Sequence, residues 1–409
     1  MDQLHFLFLQ GMQGAFFKRV GDALESRRYR VSRINLCLGD WIYWHGRNTF
    51  NFHGHFSEWQ NYIDDFFSKN KITDLVLVGE QRRYHKIAIE IARTKGIRVI
   101  ATDFGYVRPD WIALELNGLN GQSQIPKDIQ TINHLNSTLP VIDVTTKFSD
   151  SQVNRIFHDI IYSMSTALDF IFFPHYTYND IRPSLKRYPY SFLKWAKLLI
   201  NYKKTKDFVA RLASGRLNHF TFAMQLEHDY QMISYSDYDD LLEPLEEVVQ
   251  SFALYSTPDT HLVIKNHPGD FGIRNLKKDV SLLAQKFNVE QRVHFIDGGT
   301  SLDLCVQNAR GLVTVNSTSG LRALQLGCPV KTLASPVYDM PGLTHQGTLD
   351  SFWRNTGKPD SENVSAFINF ILNKLHVRGV FFKEPGMSNG VNEFTEKLAS
   401  QTVGLDDVT

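Results

Sequence analysis

Two short polar stretches carry the residue types from which a phosphate site is made: Asn266-His267-Pro268-Gly269 and Asn316-Ser317-Thr318-Ser319-Gly320. Pro268 keeps His267 out of helical geometry, so the imidazole stands at the end of the apolar run 262–265. The second stretch closes the apolar run 311–315 and opens a helical pattern at Leu321, Ala323, Leu324 and Leu326. Hydroxyls and free backbone N–H groups at a helix entrance suit an anion. Taken singly, each has a plain reading, a turn for His-Pro and an N-cap for Ser/Thr. Together in one α/β unit they read as a nucleotide-phosphate site, because open parallel sheets bind ligands outside the carboxyl ends of their strands.

Other side chains extend the candidate chemistry. Asp229 follows the apolar run 220–226, where a carboxylate serves as base, as nucleophile or simply as a turn cap. Glu115 ends an apolar stretch, where burial raises a carboxyl pKa toward that of a general acid or base. Arg82 and Arg83 in loop 79–85, and Arg108 in loop 103–115, read either as bidentate anchors for an anionic acceptor or as surface arginines in structural ion pairs. Gln10-Gly11-Met12-Gln13-Gly14 lacks the full GxGxxG pattern, so it reads as a place of close backbone approach rather than a dinucleotide site. Asp239-Asp240 reads as charge at a helix N-terminus, not as a metal-binding pair, and no metal is expected.

The elements that must position these residues follow from hydrophobic periodicity. Strands are expected over 5–9, 29–35, 74–78 and 98–101, with helices over 16–26 and 82–94, which makes a first Rossmann-like domain. A helical pattern over 153–167 comes next. A second α/β set begins near Asn218, with strands over 220–226, 262–265 and 311–315, a further strand within 331–339, and helices from about Asp239, over 348–354 and over 363–374. The expected organisation is an N-terminal domain 1–148, a basic-aromatic connecting segment 149–217, a C-terminal nucleotide-binding domain 218–375 and a tail 376–409. The tail from about Glu393 reads as a helix that crosses back or frays.

Composition bounds the partners. The 409 residues carry a formal net charge of +1, with 43% hydrophobic and 21% charged residues, so no overall field draws the chain to nucleic acid. Cys37, Cys305 and Cys328 lack metal-ligand spacing and read as reduced core residues. No apolar stretch reaches membrane-spanning length, and the N-terminal run is too short for a secretory segment, so a cytoplasmic chain is expected. Between Arg182 and Lys206 no acidic residue occurs, while Arg182, Lys186, Arg187, Lys194, Lys197, Lys203, Lys204 and Lys206 alternate with aromatic and aliphatic residues. That pattern suits a helix on an anionic leaflet, at about 1 kcal/mol per basic residue near the surface, or a solvated helix packed between domains.

The run VNSTSGLRALQLGCPVK, the loop from Tyr106 to Ile112 with Leu114-Glu115, the stretches 7–11, 225–231 and 265–270, and Tyr338 to Thr344 together resemble the capsular polysaccharide β-Kdo transferases of the KpsS/LipB type. The resemblance spans about residues 5–375. It implies a GT-B-like α/β fold, two Rossmann-like domains facing across a cleft, and a retaining, metal-independent transfer of Kdo from CMP-Kdo. The acceptor it implies is lysophosphatidylglycerol or a related lipid at the inner face of the cytoplasmic membrane, with other capsule biosynthesis and export proteins as further partners. By position, His267 and Pro268 with Ser317, Thr318, Ser319 and Gly320 would hold the CMP phosphate. Asp229 would be the catalytic carboxylate and Glu115 its acid/base partner, with Gln10, Arg82, Arg83 and Arg108 on the acceptor. Met12 stands where the family pattern has proline. A sialyltransferase-like CMP-sugar enzyme, a sugar-nucleotide epimerase and a non-catalytic export scaffold are the competing readings.

Overall fold

Short apolar runs, most of them buried on both faces, become the strands of two separate sheets. The computed structural model describes residues 3–178, 187–226, 230–298 and 300–405. The chain divides into two α/β units: residues 1–125, 139–185 and 369–409 form the first, and 126–138 with 186–368 the second.

The first unit holds a seven-stranded sheet in the order β12-β6-β5-β4-β1-β2-β3. Its strands are β1 (His5–Phe8), β2 (Arg30–Asn35), β3 (Thr49–Asn51), β4 (Asp74–Val78), β5 (Arg98–Phe104), β6 (Trp111–Leu116) and β12 (His376–Arg378). Strands β1 to β5 pair in parallel, whereas β6 runs antiparallel to β5 and β12 antiparallel to β6. Alternate side chains of one strand enter opposite cores. Phe6, Phe8, Val76 and Val78 join one with Phe16, Val20 and Phe394, while Leu7, Leu9, Leu75 and Leu77 join another with Trp59, Ile63 and Tyr84. Burial on both faces is why these strands read as continuous apolar runs rather than as alternating ones.

The second unit holds a five-stranded, wholly parallel sheet in the order β11-β10-β7-β8-β9. Its strands are β7 (His219–Ala223), β8 (His261–Lys265), β9 (Val293–Ile296), β10 (Gly311–Thr314) and β11 (Val330–Thr332). Both sheets share one topology. The first strand lies centrally, the next two extend to one side and the later ones to the other, so the order reverses between β1 and β4 and again between β7 and β10. Such switch points are where doubly wound sheets open a crevice for ligands.

Several expectations are corrected. Residues 111–116, expected within a loop that runs to Glu115, form β6, because Trp111 to Leu116 is buried throughout and pairs with β5. The tail 376–409 supplies edge strand β12 and helix Gly386–Ala399, whose Phe394 and Leu398 pack in the core of the first unit. The stretch 149–217 is not one connecting segment. Helix Gln152–Ser165 belongs to the first unit and helix Arg187–Ala213 to the second. Lys203, Lys204 and Lys206 are exposed as an interfacial helix requires, but Lys194 is buried, 8% exposed, in ion pairs with Asp270 and Asp297. Arg182 and Lys186 lie outside the described residues. The three cysteines are buried and free.

Candidate functional site

In the second unit β10, β7 and β8 are neighbours, so the loops that leave their carboxyl ends stand side by side. Gln225, just past β7, and Asn316, just past β10, hold each other across the switch point. Gln225 Nε2 donates to Asn316 Oδ1 at 2.8 Å, and the Asn316 backbone N–H donates to Gln225 Oε1 at 3.0 Å. This pair fixes where the Ser/Thr stretch begins. Ser317 caps helix Thr318–Gln325, its Oγ accepting from the Ser319 N–H at 3.2 Å, so Thr318 and Ser319 occupy the first turn and are half-buried. Tyr338 donates its hydroxyl proton to the Ser317 carbonyl. A Cβ added at Gly320 would lie 2.2 Å from the Tyr338 hydroxyl oxygen, so only glycine lets that ring lie against the helix entrance.

On the other side of β7, the loop after β8 orients His267. Its backbone N–H donates to Asn266 Oδ1 at 2.8 Å, and its Nδ1 accepts from the Gly269 N–H at 2.9 Å. With Nδ1 an acceptor, the neutral ring carries its proton on Nε2, the nitrogen suited to donate to a phosphate oxygen. Asn266 itself is 1% exposed and donates to Asp270 and Asp297. His267 is half-buried and Pro268 exposed. The structure therefore brings His267 and the Ser317–Gly320 stretch to the carboxyl edge of one sheet, on the two strands flanking β7. Asp229 lies outside the described residues.

In the first unit Glu115 sits on β6 with only 1% exposure. Tyr106 donates to its Oε1 at 2.5 Å and the Ser123 hydroxyl to its Oε2. Burial outweighs both hydroxyls, and with the Glu80 carboxylate nearby it pushes the Glu115 pKa up to about 7. Ser123 is half-buried and is the less enclosed of the two partners.

The expected acceptor residues separate. Arg82 is half-buried and its guanidinium lies against Gly79, at the carboxyl end of β4 beside the β1–β4 switch. Arg83 is exposed over Phe56 at 5.7 Å, and Arg108 is exposed over Phe104 at 4.8 Å. Gln10, in contrast, faces the interior. Its Nε2 donates to Asp40 at 3.1 Å, Tyr162 at 3.2 Å and Tyr176 at 3.1 Å, in a network that includes the buried Arg33–Asp40 ion pair at 3.2 Å. Its position at the end of β1 was legible, but its side chain serves the core. Sequence reasoning also missed Tyr106 and Ser123, the partners that enclose Glu115, and it missed Asn266 and Gln225 as organisers of the two loops. A polar residue immediately after an apolar strand was the available signal for Asn266, whereas Gln225 lay inside the expected strand 220–226.

Two doubly wound α/β units, the second with hydroxyls and a helix entrance at its switch point, define the chain's fold class. The chain belongs to the capsule polysaccharide biosynthesis protein family, which matches residues 73–382. It is 29% identical over 380 residues to the capsule polysaccharide export protein KpsS of Escherichia coli, covering 92% of this chain and 96% of the relative. To the capsule polysaccharide modification protein LipB of Neisseria meningitidis serogroup A it is 28% identical over 393 residues, covering 93% and 92%. Among solved structures it is similar to the KpsC β-Kdo 2,7 transferase of Thermosulfurimonas dismutans, at 14% identity and a TM-score of 0.45 over 97% of this chain and 99% of that one. Among the described residues no helix is long and apolar enough to cross a membrane.

Proposed function

We propose that the chain is a retaining glycosyltransferase that moves Kdo from CMP-Kdo to lysophosphatidylglycerol or a related lipid, beginning the linker of a capsular polysaccharide. One observation carries the donor half of this reading: His267 with its proton on Nε2 and the Ser317-capped helix entrance stand on strands flanking β7 at one sheet edge. Imidazole, hydroxyl and backbone N–H groups there stabilise negative charge as the CMP phosphate leaves, without a metal to screen a diphosphate.

In this account Asp229 attacks the anomeric carbon of Kdo as the bond to the phosphate breaks, and CMP leaves. The acceptor hydroxyl then displaces Asp229 from the same carbon and gives up its proton, and two inversions give retention. Glu115, poised at about pH 7 by burial, is the group that takes or returns that proton. Arg82, Arg83 and Arg108 are assigned to the acceptor phosphate. The exposed Lys203, Lys204 and Lys206 beside Tyr202, itself 58% exposed, support peripheral contact with an anionic membrane surface on the cytoplasmic side. Other capsule biosynthesis and export proteins are the expected partners there. Calorimetric titration with CMP and with UMP tests the donor assignment. Saturable CMP binding that His267→Ala and Ser317→Ala both weaken is the expected result, and absence of CMP binding overturns it.

A further inference from the structure

Helix Arg187–Ala213 sends Lys194, besides the apolar Val209 and Leu212, into the interior of the second unit, and the lysine ends behind the His267 loop. Lys194 Nζ donates to the Asp270 carbonyl at 2.9 Å and to Asp270 Oδ2 at 2.7 Å, and lies 3.2 Å from Asp297 Oδ1. Asn266 Nδ2 reaches the same two carboxylates, at 3.0 Å and 2.8 Å. The Asn266 side-chain oxygen in turn accepts from the His267 N–H, and the Asp270 N–H returns to the His267 carbonyl at 3.1 Å. Gly272, at φ +74°, lies so close to the lysine stem that an added Cβ would meet its Cδ at 3.1 Å and its Cβ at 3.2 Å. The loop is thus folded around the lysine.

We infer that Lys194 is a positioning residue of the donor site: it neutralises Asp270 and Asp297 and thereby holds His267 in the orientation that receives a phosphate. The inference rests on the reading of this loop as the phosphate site. Two carboxylates beside a phosphate loop repel the ligand, and a buried ammonium offsets them at short range in a low dielectric. Without Lys194 both carboxylates remain without the ammonium that offsets them at 2.7 Å and 3.2 Å.

The full-length chain tests this with Lys194→Met, Lys194→Arg, and Lys194→Met combined with Asp270→Asn and Asp297→Asn, titrated with CMP and with cytidine. Lys194→Met weakens CMP by about tenfold or more and leaves cytidine within twofold. Lys194→Arg and the triple variant recover most of the loss, because each restores charge balance. Equal loss of both ligands, or unchanged CMP affinity in Lys194→Met, overturns the inference. Should Lys194→Met not fold, the triple variant replaces it as the test of charge balance. Nitrogen-15 shifts of His267 in the unliganded protein give a readout that needs no CMP. Wild type shows the Nε2–H tautomer and Lys194→Met a mixture, whereas an unchanged tautomer overturns the positioning role. A wild-type chain that binds no CMP but shows this tautomer shift would refute the donor reading alone.

Discussion

Gln225 and Asn316 exchange two hydrogen bonds across the switch point of the second sheet, at 2.8 Å and 3.0 Å, so the strand that leads toward Asp229 and the strand that leads to Ser317 are held in fixed register at their ends. Gln225 is 3% exposed. Gln225→Leu removes the acceptor that the half-buried Asn316 N–H uses, which costs about 1 kcal/mol. Denaturant unfolding should show that loss, and CMP affinity should fall with it because the Ser317 cap is displaced. A variant of wild-type stability and affinity would show that the pair organises nothing.

Gly320→Ala places a methyl group on the Tyr338 ring, 2.2 Å from its hydroxyl oxygen and 2.7 Å from Cζ. Overpacking of this kind costs about 1–3 kcal/mol. Here the ring must also release the Ser317 carbonyl, so the expected outcome is lower stability together with weaker CMP binding, measured by thermal unfolding and calorimetry.

Glu115 links pH to both stability and turnover. Its pKa rises from 4.5 to about 7 in the folded chain. Between those values the folded state binds more protons than the unfolded state, so stability falls as pH rises through the window and levels off above it. The effect is on the order of 3 kcal/mol for a shift of this size. Glu115→Gln should remove that pH dependence while keeping a partner for both Tyr106 and Ser123. If Glu115 is the acid/base, the same variant loses about 10²–10⁴ in kcat, whereas unchanged turnover would leave it a structural residue.

How much of this was legible beforehand depended on what each residue type reports. Helix Phe16–Ser26 and strand β4 (Asp74–Val78) coincide with the ranges expected from periodicity, because their apolar residues face cores that the pattern itself describes. Strand β6 was hidden since Trp111 to Leu116 follows a Pro-Asp turn, and an apolar run of six has no period to identify it. Strand β12 has three residues and gains its identity only from pairing with β6. At the site, His267 and Ser317 announced themselves by type and neighbour. Lys194 did not, because a lysine in a basic segment looks the same whether it meets a lipid or a half-buried aspartate. Gln10 shows the converse, a loop position read correctly whose side chain turns inward to Asp40.

Asp229 carries the covalent step in the proposed mechanism. Asp229→Ala should lower kcat by at least about 10³ with little change in CMP affinity, the pattern expected when a group acts on the reacting carbon rather than on the bound phosphate. Single-turnover kinetics with intact-mass analysis would detect a Kdo adduct on the wild-type chain, mapped to the peptide containing Asp229. An adduct on another residue would reassign the nucleophile.

Transfer of Kdo to a lipid acceptor is directly measurable. Purified protein incubated with freshly generated CMP-Kdo and a fluorescent lysophosphatidylglycerol should yield a product heavier by one Kdo, and NMR of that product should show a β linkage. CMP-Kdo that remains intact with every lipid acceptor supplied, in a preparation that binds CMP, would rule out the transferase activity.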